Sequence, residues 1–225
     1  VVLIAGKPLA MPWVKENADA VLVQWYAGEQ QGRTLADILL GKVNPSGKLN
    51  VSFPRSTGNT PCFYNHFVTD REEPFDQPGT PEEPKGHYIF DKPEPLWNFG
   101  HGKSYTTFDY VDCALSDTLL AASDTLKVSV MIKNTGRCDG KEVVQLYVRD
   151  KVSTVATPIQ QLKAFQKVLV KSGESQCVEL SLPIAELALY NAKMEEVVEP
   201  GDFEIQIGAA SDDIRFKKTI TINRK

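Results

Sequence analysis

The sequence predicts a mixed fold: about half of an α/β layer, then an ordered connector, then an all-β sandwich of immunoglobulin-like design. Three observations predict it. Residues 1–56 alternate apolar runs with an amphipathic helical stretch. Residues 57–104 crowd prolines and aromatics together. Residues 105–225 repeat short, period-two apolar segments separated by turn residues, about seven of them, which is the pattern of a two-sheet sandwich.

In the first region, Val1-Val2-Leu3-Ile4-Ala5 is continuously apolar, as a strand covered on both faces must be. Gly6-Lys7-Pro8 turns the chain, and Leu9 to Asn17 reads as a short helix or turn. Ala20 to Trp25 is a second buried strand. Glu29 to Leu40 is helical, with Leu35, Ile38 and Leu39 on one face and Gly41 where a C-terminal cap is wanted. After the turn Asn44-Pro45-Ser46-Gly47, Leu49, Val51 and Phe53 alternate as a third strand. This β-α-β order implies a parallel sheet, yet it supplies only half of a covered layer. The expectation is that residues upstream of Val1 complete it, the alternative being another chain.

The connector carries Pro61, Pro74, Pro78, Pro81, Pro84, Pro93 and Pro95, with Phe63, Tyr64, Phe67, Phe75, Tyr88, Phe90, Trp97 and Phe99. A flexible linker would not hold so many aromatics, so an ordered excursion over other domains is expected. Beyond it, Val111, Cys113 and Leu115 alternate, as do Leu126 to Ile132, Val144 to Val148, Leu162 to Val170, Val178 to Leu182, Phe203 to Ile207 and Ile214 to Ile222. Asn134-Thr135-Gly136, Asp139-Gly140, Ser172-Gly173 and Pro200-Gly201 punctuate them. There is no Cys-Trp-Cys spacing of the antibody type.

Composition narrows the function. The 225 residues are 42% hydrophobic and 24% charged, with a formal net charge of -4. No basic block offers a nucleic acid an electrostatic footprint, so no nucleic-acid partner is expected. No apolar run approaches the roughly 18 residues that span a bilayer, so no membrane partner is expected either. Cys62, Cys113, Cys138 and Cys177 lack the close pairing of a zinc site, and His66, His87 and His101 do not supply it. No metal or cofactor is expected. Four cysteines could form two disulfides in an oxidising compartment, but Cys113 and Cys177 fall within alternating strands, where a thiol packs as a small hydrophobe, so free thiols are the expectation and disulfides the alternative.

Catalytic patterns are sparse. Gly28 to Gly32 lacks phosphate-loop spacing and reads as a tight strand-to-helix turn. There is no G-x-S-x-G elbow. Glycoside cleavage requires two carboxylates, and Glu29, Asp37, Glu72, Glu73, Asp91 and Asp139 form the pool. None has the apolar surroundings that would raise a pKa for acid catalysis, so no catalytic pair is assigned. Trp97 is the one candidate for stacking on a sugar; the competing reading of its indole is packing between domains.

Several stretches resemble glycoside hydrolase family 3. Trp25-Tyr26-Ala27-Gly28-Glu29-Gln30-Gln31-Gly32, continuing to Ala36-Asp37-Ile38-Leu39-Leu40-Gly41 and Asn44-Pro45-Ser46-Gly47-Lys48-Leu49, is similar to that family's second domain, and the resemblance implies that residues 1–56 are the C-terminal portion of an α/β sandwich domain. Leu96 to Phe108 resembles its P-F-G-Y-G-L-S-Y-T-T-F signature, with Trp97, Asn98 and His101 in place of the usual Tyr, Pro and Tyr. Asn134-Thr135-Gly136, Asp139 to Val148, Leu162 to Phe165 and Glu199 to Phe203 resemble its fibronectin type III-like domain. Gln30-Gln31-Gly32 stands where Glu-Gly-Gly is common, and Cys138 where a charge is common.

The resemblance, greatest to the β-glucosidase and β-xylosidase branch, implies a parent enzyme that retains configuration while hydrolysing β-linked glycosides. The family's nucleophile is a barrel aspartate and its acid/base commonly a glutamate N-terminal to the strand at Val1–Ala5. Neither position lies within residues 1–225, so this chain alone is expected to be inactive and architectural. Its expected partners are the N-terminal domains it packs against and, through them, a β-linked oligosaccharide. Periplasmic or secreted localisation is implied by the resemblance alone. Two other readings stay open: a stand-alone carbohydrate-binding or adhesion module, and a protein-interaction module pairing through its open sheet.

Overall fold

The computed structural model describes residues 1–67, 80–82 and 94–223. The strand β1 (Val2–Ile4), helix α1 (Pro12–Asn17), strand β2 (Leu22–Gln24) and helix α2 (Gln31–Leu39) form the α/β portion. β1 and β2 pair in parallel, Val2 opposite Leu22 and Ile4 opposite Gln24. α2 stops at Gly41, whose φ of 71° only glycine adopts freely. The Gly41 N–H reaches the Ile38 carbonyl and the Lys42 N–H the Asp37 carbonyl, a pairing that satisfies the last turn's open carbonyls.

The third strand expected at Leu49–Phe53 does not join this sheet. Those residues are extended, but they run antiparallel to the end of the connector. Leu49 N–H bonds to His101 O at 2.8 Å, Gly100 N–H to Leu49 O at 2.7 Å, and Phe53 N–H to Trp97 O at 2.8 Å. The apolar alternation was a correct sign of extended backbone, but alternation does not name a partner.

The sandwich follows: β3 (Phe108–Leu115), β4 (Leu119–Leu120), β5 (Thr125–Asn134), β6 (Gly140–Asp150), β7 (Gln161–Val170), β8 (Ser175–Pro183), β9 (Leu189–Tyr190), β10 (Glu196–Val197), β11 (Gly201–Ala210) and β12 (Asp213–Ile222). One sheet orders as β4-β12-β11-β6-β7 and the facing one as β3-β5-β8. Their inner faces meet through Leu126, Val128, Val130 and Ile132 against Val144, Leu146, Ile205, Ile207 and Ile220, all at most 1% exposed. Each such side chain contributes about 1.5–3 kcal/mol by leaving water. All seven strands read from alternation are present.

Two details differ. Val111 was expected inside with Cys113, yet it faces solvent, because a register shift between Tyr110 and Asp112 inserts an extra residue opposite Ile132 and Met131. Tyr110 takes the inward position instead. Cys177 is exposed, since Val178, Leu180 and Leu182 take the inner face and a strand's period of two sends Cys177 outward. All four thiols are free, with Cys113 buried as expected.

The Asn134-Thr135-Gly136 turn is built around a buried amide. Asn134 Oδ1 accepts from Thr106 Oγ1 at 2.6 Å and from the Gly136 N–H at 3.0 Å. Its Nδ2 donates to the carbonyls of Cys138 and Val170, both at 2.9 Å. The amide's hydrogen-bonding capacity is filled, which is what allows it to sit at 0% exposure.

Candidate functional site

The carboxyl ends of parallel strands are where open α/β sheets place their ligand crevices. Here the loops leaving β1 and β2, Gly6–Pro8 and Trp25–Tyr26, meet Asn50 and Val51 around an open cleft of about 410 Å³. A second hollow at the far end of the sandwich, beside Asp150 and Leu187, holds only about 60 Å³.

Trp25 forms one wall. Its ring lies 5.9 Å from that of Phe53, which is fully buried, and Phe53 in turn meets Trp97 edge-on at 5.8 Å. Tyr26 is 75% exposed but not loosely placed, since its ring covers Gly6 so closely that a Cβ there would sit 2.7 Å from Cε2. The buried Gln24 amide, just before the aromatic pair, donates to the Gln31 carbonyl at 2.8 Å and ties the end of β2 to the start of α2.

Trp97, the residue singled out from sequence, lies half-buried beneath this wall rather than in it. Lys15 Nζ stands 5.8 Å from the centre of its ring and also donates to the Leu96 carbonyl at 2.5 Å. Glu29 is exposed on the turn before α2. Asp37 pairs weakly with Arg33 and Lys42 at 3.9 and 3.7 Å, and Asp139 accepts the Ser172 N–H at 2.9 Å. These two carboxylates serve local structure. Glu72, Glu73 and Asp91 lie outside the described residues, as do Phe75, Tyr88, Phe90 and His87.

What holds the cleft in place is a strap, Asn44 to Phe53, clamped on the sandwich. Asn44 Oδ1 accepts from Ser104 Oγ at 2.8 Å and from the Tyr105 N–H at 2.9 Å, while its Nδ2 donates to Asp139 O at 2.9 Å. Lys48 Nζ donates to Gly102 O at 3.1 Å and lies 3.0 Å from Glu142 Oε1. The connector is clamped as well. Tyr64 stacks on Phe99 with centroids 4.2 Å apart and meets Tyr147 edge-on at 5.8 Å. Tyr147 donates to Gln145 Oε1 at 2.6 Å, and Gln145 Nε2 donates to Ala209 O at 2.6 Å and to Gly100 O at 3.3 Å. Burial pushes the Tyr147 phenol far above its ordinary pKa, so it stays a neutral donor. Most of these residues lie in stretches singled out in the sequence, but their meeting was not legible there, because those stretches are far apart in the chain.

Comparison with known proteins agrees with this layout. Residues 1–105 match the glycosyl hydrolase family 3 C-terminal domain, and residues 142–211 the fibronectin type III-like domain. A β-xylosidase of Formosa agariphila is 40% identical over all of this chain, which covers 30% of that protein. A periplasmic β-glucosidase of Salmonella typhimurium is 39% identical over 95% of the chain, covering 28% of that relative. The crystal structure of a Listeria innocua β-glucosidase in complex with glucose superimposes with a TM-score of 0.88 at 36% identity, over 99% of this chain and 30% of that one. The chain thus spans about 30% of the length of the curated relatives it matches. With the α/β portion, the strap and the sandwich all accounted for by these matches, the chain belongs to glycoside hydrolase family 3, as its C-terminal domain joined to a fibronectin type III-like domain.

Proposed function

We propose that this chain is the non-catalytic, architectural C-terminal part of a retaining β-glycosidase acting on β-glucosides or related oligosaccharides. One observation carries the reading. The α/β portion leaves its apolar surface open: Val1, Val2, Ile4, Trp13, Leu39, Leu40 and Val43 are all exposed, and Phe53 is its one fully buried hydrophobic residue among those described. So many exposed large apolar side chains on so short a segment mark an interface rather than a finished exterior. The surface fits the packing of this domain against others that hold the two carboxylates such hydrolysis requires. The named activities of the relatives, β-xylosidase and β-glucosidase, support the substrate class.

Trp97 serves this architecture by packing between Phe53 and Lys15. Export to the periplasm or beyond is part of the same reading, supported by the periplasmic Salmonella relative. No helix among the described residues is long and apolar enough to cross a membrane.

The test is direct. The pure chain should release no nitrophenol from nitrophenyl β-glucoside or β-xyloside above a blank. Turnover abolished by substituting any carboxylate of this chain would overturn the non-catalytic reading.

A further inference from the structure

We infer that residues 1–43 open and reseat as a unit of their own, on a strap that stays folded with the β-sandwich, and that the point of release is Gly41–Val43. The fold thus carries a conformational device: a detachable segment and a platform that outlasts its detachment. This goes beyond the architectural reading and does not rest on it.

Burial divides the chain at that point. Residues 1–43 contain one buried residue, Gln24, and neither α1 nor α2 buries a side chain. Just beyond, Ser52, Phe53 and Leu96 are at most 4% exposed, and Pro54 and Gly100 are buried as well. Removal of apolar surface from water is the main favourable contribution to folding, so the two sides of Val43 are unequal in stability. Two strands of three residues, such as β1 and β2, are marginal alone. Gly41, whose positive φ closes α2, leads into Lys42 and Val43, both exposed.

Polar and ring contacts follow the same division. Residues 1–43 reach the rest of the described chain through Lys15, at the Leu96 carbonyl and the Trp97 ring, through Trp25 on Phe53, and through the Ile38 carbonyl, which accepts from the Tyr105 hydroxyl at 2.8 Å. Each of these ends on the strap or the connector. The strap instead bonds to the sandwich itself. Lys48 pairs with Glu142 on β6, and Lys167 Nζ on β7 donates to Ser46 Oγ at 3.3 Å. Its ladder partner is anchored too, since the Ser211 N–H donates to Phe99 O at 3.0 Å and Asn98 Nδ2 to Asp212 Oδ2 at 2.7 Å. The seam between strap and connector is tight, for a side chain at Gly102 would overlap the Gly47 carbonyl. Proteins open locally in contiguous units, and those with few buried contacts open first.

The test is native-state amide hydrogen exchange on the whole chain, read by NMR at a series of sub-denaturing urea concentrations. The amides of Leu22 and Leu40, bonded to Val1 O and Ala36 O, should exchange together. Those of Leu49, Phe53, Leu96 and Gly100 should exchange about 100-fold more slowly, in step with the central strand β6. Tyr105→Phe removes the tie to Ile38 and should speed exchange in the first group several-fold while leaving the second unchanged. Gly102→Ala wedges the seam and should speed both. One rate shared by Leu22 and Leu49, or strap amides that open with β1 and β2 ahead of β6, would overturn the inference. So would a Tyr105→Phe chain whose strap loses as much protection as residues 1–43. If Gly102→Ala does not fold, the wild type and Tyr105→Phe decide between these outcomes. None of them bears on hydrolysis by the chain, so the architectural reading is tested separately.

Discussion

Lys48 Nζ lies 3.0 Å from Glu142 Oε1, with only 13% and 7% of the two side chains exposed, joining the strap of the α/β portion to the start of β6. A charge pair this deep is costly to break from one side, because the survivor remains buried without its counter-charge.

Lys48→Met should therefore destabilise the chain by about 3–5 kcal/mol. Removing Glu142 as well, as Lys48→Met with Glu142→Leu, should recover much of that loss. Chemical denaturation of the wild type, both single variants and the double variant gives the coupling. A double variant no more stable than the singles would show that the pair does not act as a unit.

The buried amide and phenol beneath the connector give a second expectation. Tyr147→Phe leaves Gln145 Oε1 without its donor and should cost about 1–3 kcal/mol. Gly100→Ala should cost at least about 2 kcal/mol. Gly100 has a φ of 82°, and a Cβ there would press on the Gln145 carboxamide and stand 3.0 Å from the Tyr147 hydroxyl. Melting temperatures of the two variants rank these losses.

His101 sets an acid limb. Burial holds its pKa below the ordinary value, with Lys103, Lys48 and Lys15 adding to the effect and Asp212 opposing it. The unfolded chain thus binds this proton more readily than the native one. The stabilising contribution is complete above the unfolded value of about 6.5 and is lost as pH falls from there through the lower native value. His101→Asn should flatten stability against pH in that window, read by urea denaturation at a series of pH values. An unchanged slope would remove His101 from the account.

Thiol reactivity should sort the cysteines by exposure. Cys138 and Cys177 are exposed and should react with a disulfide reagent in the native protein. Cys113, whose thiol burial pushes up, should react only on unfolding. Cys62 is half-buried and also raised by burial, so it should react more slowly than the exposed pair. Rapid loss of all four thiols without denaturant would contradict the packing of β3.

Much of the fold was legible because strand alternation is enforced by burial on one face. Leu126 to Ile132 and Val178 to Leu182 read directly as inner-face residues. Val111 did not, since a bulge changes the phase of the alternation and leaves no mark in composition. Leu49 to Phe53 read as extended, yet its partner enters from the far end of the connector. The cleft was harder still. Trp25 and Tyr26 stood in a recognisable stretch, but Gly6 and Asn50 join them only through the tertiary fold. Trp97 drew attention as a large aromatic in polar surroundings, and the structure sets it under the wall formed by Trp25 and Phe53.

The bond between Gly100 and Leu49 has a mechanical consequence. Gly100 is gripped by Gln145 on the sandwich, Leu49 is laced to Gly100, and Phe53 on the same short ladder props up Trp25. These contacts form a continuous chain of stiff parts from the middle of the β-sandwich to the rim of the cleft. The sandwich is then a brace whose tension is felt at Trp25, and loosening Gln145 should be visible in the fluorescence of an indole it never touches.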